Sequence, residues 1–124
     1  MKVLIIDDYL PGADSLRGLL EIYGAEADIA VSYADGLAAW SPEYDLVVSD
    51  RDLGDGNGID LLAALRERGL TSKTALMSGG LSYGEAADLQ AAGVADLVLV
   101  KGVETGRQLL ELVKDIAGDR GPLD

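Results

Sequence analysis

Val3-Leu4-Ile5-Ile6-Asp7-Asp8 decides how the rest of the chain reads. Consecutive apolar residues leave no polar face for water, so the run reads as a strand covered on both sides, as in a parallel sheet. The two carboxylates that follow end it abruptly. Leu46-Val47-Val48 repeats the design and leads through Ser49 to Asp50. Thr74-Ala75-Leu76-Met77 leads to Ser78, and Leu97-Val98-Leu99-Val100 leads to Lys101. Ala25, Ala27, Ile29 and Val31 alternate with other residues instead, the pattern of a less buried edge strand.

Amphipathic stretches separate these runs. Pro11 suits a first helical turn, and Leu16, Leu19, Leu20 and Tyr23 then share one face up to Gly24. Ser32 with Asp35 resembles a capping box ahead of a short helix through Trp40. Ile59, Leu62 and Leu65 mark a helix closing near Gly69, and Tyr83 to Ala92 a helix ended by Gly93. Leu109, Leu112, Val113 and Ile116 give the last helix its inward stripe. Strand-helix alternation at this spacing predicts an α/β fold with a parallel sheet and helices on both faces. Residues 1–117 read as one domain and residues 118–124 as a polar, frayed C-terminal tail.

Composition narrows the function. The 124 residues are 48% hydrophobic and 26% charged, as in a globular domain. Without Cys or His the chain has no disulfide, no Cys/His zinc site and no Ser-His-Asp triad. No apolar run is long enough to span a bilayer, and the start does not read as a signal peptide. The net charge of -12 argues against nucleic acid as a partner and for a cation or a basic protein patch. A cytoplasmic location fits the lack of Cys.

In a parallel sheet the residues that follow the strands lie on one edge, where open α/β sheets bind ligands. Asp7, Asp8, Asp50, Ser78 and Lys101 are therefore expected to converge. Clustered carboxylates repel unless a cation sits among them. Oxygen ligands favour Mg2+, which binds few carboxylates directly and keeps water-filled positions. A carboxylate beside such a metal can attack phosphorus and form an acyl phosphate. Lys101 supplies a point charge for phosphate oxygens and Ser78 a hydroxyl donor. Taken singly each residue also fits a solvated turn; the combination points to one phosphate-and-metal site.

Leu4-Ile5-Ile6-Asp7-Asp8, Asp45-Leu46-Val47-Val48-Ser49-Asp50, Asn57-Gly58, Ala75-Leu76-Met77-Ser78 and Val98-Leu99-Val100-Lys101, in this order and spacing, resemble the response-regulator receiver domains of two-component signalling. The resemblance covers the chain from about Met1 to Ile116. It implies the flavodoxin-like doubly wound sheet of five strands, order 2-1-3-4-5, with five helices. It implies phosphorylation of Asp50 by a phosphohistidine on a sensor histidine kinase or histidine phosphotransfer protein, followed by changed contacts with a downstream protein target. Asp8 and Asp50 would bind Mg2+ through their side chains, Asp7 through a metal-bound water and Asp52 through its backbone carbonyl. Lys101 would pair with Asp50 or its phosphoryl group, and Ser78 would move to hydrogen-bond that group. The family also commonly dimerises through its last helix and strand.

The sequence departs from the family at several points. Gly102 follows Lys101 where a cis proline is usual, so a trans bond is expected. Val98 stands where the family has its aromatic switch residue, Gly54 replaces a common proline, and Gly79-Gly80 frees the loop after Ser78. Small Gly80 is expected to admit water and Asp52 to add negative charge, which together predict a labile phosphoryl group. Two other readings stand beside this one. Asp50-Arg51-Asp52 is similar to the nucleophile and acid-base pair of haloacid-dehalogenase-type phosphatases, although Gly54 stands where those have Thr. The missing aromatic and proline instead suit a receiver-like interaction module that works without phosphorylation. A chain complete at Asp124 would act by docking or by relaying phosphate to a histidine elsewhere. An excised one would continue into an effector, with Gly121-Pro122 in the linker.

Overall fold

The computed structural model describes residues 1–119. Strands β1 (Lys2–Ile6), β2 (Glu26–Ala30), β3 (Leu46–Asp50), β4 (Lys73–Ser78) and β5 (Leu97–Val100) alternate with helices α1 (Leu10–Ile22), α2 (Tyr33–Ala39), α3 (Gly58–Glu67), α4 (Tyr83–Ala91) and α5 (Thr105–Asp119). The strands form one sheet of order β2-β1-β3-β4-β5, and every pair is parallel.

The two-sided burial read from the apolar runs follows from strand alternation. Val3 and Ile5 face one side, where Ala13 and Leu20 of α1 and Leu109, Val113 and Ile116 of α5 pack. Leu4 and Ile6 face the other, against Leu61, Leu62 and Leu65 of α3 and Ala86 of α4. Leu4, Ile5 and Ile6 are fully buried, each stabilising the fold by roughly 1.5–3 kcal/mol. β1 and β3 are thereby fixed at the centre of the sheet. β2 is an edge strand, as its weaker pattern suggests.

Some sequence expectations need correction. Tyr23 does not join the inward face of α1, being 57% exposed. It caps the helix at φ -95, ψ 14, which turns its side chain off the stripe as the chain enters Gly24 at φ +90. Ala13 occupies the inward face instead. Val31 is also exposed, because the β1–β2 ladder ends with Ile6 opposite Ala30. Ser32 caps α2 by accepting from the Asp35 amide at 3.0 Å. The reciprocal capping box forms at α4, where Ser82 and Glu85 each accept the other's amide at 3.1 Å. Helix α5 still includes Gly118; beyond Asp119 the expected tail lies outside the described residues.

Gly58 opens α3 at a point with no room for a side chain. A Cβ there would lie 2.3 Å from the Asp50 carbonyl oxygen and 2.8 Å from Leu76 Cδ1 and Ser49 Oγ. Gly58→Ala should therefore destabilise the fold by roughly 1–3 kcal/mol through overpacking. Gly18→Ala, at a helical site with no atom within 4 Å of the new Cβ, should stabilise it by roughly 0.5–1 kcal/mol. Urea unfolding of both variants checks the pair of signs.

Candidate functional site

The chain leaves β1 toward β2 on one side and later returns to β3 on the other, so the order reverses between β1 and β3. A crevice opens at such a reversal, at the carboxyl ends of the strands. Asp7 and Asp8 follow β1 and Asp50 ends β3. Ser78 ends β4, with its backbone carbonyl accepting from the Lys101 amide at 2.9 Å. The five residues therefore meet at one edge, although they lie far apart in sequence.

Lys101 Nζ donates to Asp50 Oδ2 at 3.0 Å and to Asp7 Oδ2 at 3.4 Å. The other Asp7 oxygen accepts from the Tyr9 amide at 2.9 Å. One oxygen each from Asp7, Asp8 and Asp50 lies within 4.8 Å of the others, a spacing suited to a shared cation. Asp7 and Asp50 are buried while Asp8 is exposed, so the cluster opens to solvent through Asp8. The Lys101–Gly102 peptide is trans, and the amine still reaches Asp50. The carboxylate of Asp52 lies apart, exposed and 3.5 Å from Arg51 Nη2.

Burial pushes the Asp50 carboxyl above its ordinary value; Lys101 opposes that shift and Asp7 adds to it. Burial acts to lower the Lys101 amine, but its bonds and attraction to Asp50 and Asp7 outweigh this and raise it. A lone ammonium thus serves two buried carboxylates with a third nearby. Oxygen donors in this number fit a hard divalent ion such as Mg2+.

The loop after Asp50 is tied at several points. The Arg51 amide donates to the Met77 carbonyl and the Gly58 amide to the Arg51 carbonyl, both at 2.8 Å. Asp52 bridges to Asn57, and the Asn57 side chain caps α3. Gly54 adopts φ +55, close against Asp8. The Asp55 carboxylate accepts from the Tyr33 and Ala34 amides at 2.8 and 3.1 Å, clasping the start of α2; these bonds hold its pKa below the usual carboxylate range. Nothing local in the sequence marks Asp55 for this, since its partners come from another loop.

Ser78 is fully buried, and its hydroxyl accepts from the Gly80 amide at 3.1 Å. The open approach expected beside Gly80 is not empty. A Cβ placed at Gly80 would meet Arg51 Nη2 at 3.2 Å. Val98 is buried among the residues packed on the α3–α4 side of the sheet. Its amide donates to Gln90 Oε1 at 3.0 Å, which ties edge strand β5 to α4.

Residues 3–114 match the family model described as the response regulator receiver domain. The chain is 31% identical, over its whole length, to the DNA-binding transcriptional activator DevR/DosR of Mycobacterium tuberculosis, and spans 58% of that protein. It is 28% identical over 77% of its length to two-component response regulator 24 of Arabidopsis thaliana, spanning 70% of that protein. Among solved structures, a CheY-like receiver domain from Methanospirillum hungatei matches with TM-score 0.78 and 32% identity, covering 92% of this chain and 90% of the other. Response regulator TrrA from Thermotoga maritima, solved in complex with Mg2+-BeF, matches with TM-score 0.78 and 26% identity, covering 93% of this chain and 97% of the other.

The raised Asp50 carboxyl carries a stability consequence. A carboxyl whose folded value lies above its unfolded one favours the protonated fold, so its contribution declines as pH rises through that window. Once ionised, Asp50 then weakens the metal-free fold. Lys101 acts with the opposite sign: its contribution is whole at neutral pH and is lost only as pH rises through its raised folded value. Asp50→Asn should therefore raise the melting temperature at pH 7 without metal, by a few degrees. The gain should shrink as pH falls toward the ordinary carboxylate value of 3.8. A lower melting temperature at pH 7 would mean that the bond to Lys101 outweighs burial.

Proposed function

This chain belongs to the response regulator receiver domain family of two-component signalling systems, and from that premise we propose that it accepts a phosphoryl group on Asp50 and signals through altered protein contacts. The observation that carries the reading is Lys101 Nζ at 3.0 Å from Asp50 Oδ2, inside a cluster that also holds Asp7 and Asp8. A carboxylate so placed is oriented for attack, and the amine can neutralise phosphoryl oxygens as they arrive.

The donor that fits is a phosphohistidine on a sensor kinase or phosphotransfer protein. An Asp50 oxygen bonds to phosphorus while the phosphorus–nitrogen bond breaks. The imidazole nitrogen leaves with that electron pair and needs no base from this chain, which contains no His. Asp7, Asp8 and Asp50 supply the oxygens that would hold Mg2+, with the backbone carbonyl of Asp52 as a further ligand by family resemblance. When bound, the ion screens the acids and offers positive charge to the incoming phosphoryl oxygens. Lys101 holds Asp50 in the attacking orientation. Ser78 is buried beside the site, and an O–H that accepts one bond still has a hydrogen to donate. Its rotation from the Gly80 amide toward the phosphoryl group would loosen the β4–α4 loop.

The reading makes the chain a signalling domain whose only chemistry is gain and loss of its own phosphoryl group. It would work in the cytoplasm, where such kinases present their phosphohistidines. No helix among the described residues is long and apolar enough to cross a membrane. The downstream target is a protein docked on a surface that the loop change alters, and a homodimer through β5 and α5 fits the same scheme. DNA binding, as in the Mycobacterium relative's name, would need a surface other than this acidic one.

Incubation of the chain with Mg2+ and acetyl phosphate should add one phosphoryl group, located on Asp50 by peptide mass. Asp50→Asn should abolish the gain. Lys101→Ala should slow it by roughly 10²-fold, the scale expected when one preorganised charge is removed. Sustained turnover of a generic phosphate ester would instead mark a phosphatase. No mass gain in the wild type would favour an interaction module that works without phosphorylation.

A further inference from the structure

The space beside Gly80 is filled from the neighbouring loop. A side chain at 80 would meet Arg51 Nη2 at 3.2 Å and Ser78 Oγ at 3.9 Å. The guanidinium is therefore no farther from the buried hydroxyl than those two lengths laid end to end. Arg51 is itself only 30% exposed, yet its ion pair is with Asp52, 75% exposed, at 3.5 Å. A pair so long and so open holds an arginine weakly. The field of Arg51 also reaches Glu85 at the start of α4. The carboxyl there is lowered first by its bonds to Ser82 and last by Arg51. Arg51 thus lies over the β4–α4 loop, whereas Lys101 approaches Asp50 beside Asp7.

Resting on the reading of Asp50 as phosphoacceptor, we propose that Arg51 is a second cationic clamp on the phosphoryl group and shields it from water. A phosphoryl group on Asp50 that accepts from Ser78 presents oxygens to this loop. A guanidinium meets them with paired N–H donors, and leaving Asp52 costs it little. Loss of the group is hydrolysis. A water oxygen bonds to phosphorus as the bond from phosphorus to the Asp50 carboxylate breaks. The carboxylate keeps that electron pair, and the water's surplus proton passes to solvent with release of inorganic phosphate. Arg51 holds the oxygens before attack and occupies the space through which water would enter. Glycine at 80 is what leaves room for it, so the small residue that by itself suggests a labile group instead admits a protective one.

The test follows phosphoryl loss from the full chain by intact mass, after loading with acetyl phosphate and Mg2+ and removing the donor. Arg51→Gln and Arg51→Ala should lose the group about tenfold faster than wild type, the scale of one charge-assisted hydrogen bond. Arg51→Lys should restore part of the lifetime. Added salt should shorten the wild-type lifetime more than that of Arg51→Gln, a difference that mere packing would not produce. Should Arg51→Ala melt early, Arg51→Gln, which keeps most of the side chain, carries the comparison. Equal lifetimes in wild type and Arg51→Gln, with Asp50 modified in both, would overturn the role of Arg51 and leave the phosphoacceptor reading intact. Absence of any mass gain on wild-type Asp50 would overturn both.

Discussion

Buried negative charge shared by more acids than bases is the constraint on which this domain turns. Asp50 and Asp7 are removed from water at the ends of adjacent strands, and a single ammonium from Lys101 bridges them. A carboxylate cluster of this kind is costly unless paired. Asp8, which opens to solvent, leaves the balance negative and the pocket short of positive charge. Such a pocket is receptive to a divalent ion and, once that ion is in place, to an anionic phosphoryl group. The same imbalance that makes the buried acids costly suits the cluster to a cation.

Holding that cluster together is the work of the surrounding backbone. β1 and β3 are buried on both faces, which fixes their register and therefore the separation of Asp7 from Asp50. Gly58 lets α3 start directly against the Asp50 carbonyl, and Asp55 ties the intervening loop to α2. The β4–α4 side is looser. The Ser78 hydroxyl accepts from the Gly80 amide, within a glycine pair and near an Arg51 whose ion pair with Asp52 is long and exposed. Asp50 is thus held by more contacts than the Ser78 hydroxyl, an asymmetry that suits the proposed reaction followed by rearrangement. Val98, buried in place of an aromatic, leaves β5 tied to α4 through Gln90.

The candidate site was legible to different depths. Asp7, Asp8, Asp50, Ser78 and Lys101 stand at the ends of apolar runs, and parallel pairing brings strand ends together whatever the loops do. Asp55 gave no such sign, because an exposed acid in a polar loop looks the same whether or not a distant helix start needs capping. Nor does the sequence around Gly80 show that Arg51 Nη2 would lie 3.2 Å from a Cβ placed there. A glycine announces space, but only the fold says which neighbour fills that space. Tyr23 on the inward face of α1 and Val31 in β2 were misread for a simpler reason: periodicity continues on paper past the point where a helix or strand has ended.

The sequence by itself determined the strands, the helices that alternate with them and the edge at which the reactive residues gather. These follow from hydrophobic period and chain direction, which are local properties. Tertiary structure decided the 3.0 Å approach of Lys101 to Asp50, the clasp of Asp55 on α2 and the seating of Arg51 over Gly80. Each joins side chains from separate loops, and their distances depend on how layers pack, which no local pattern encodes.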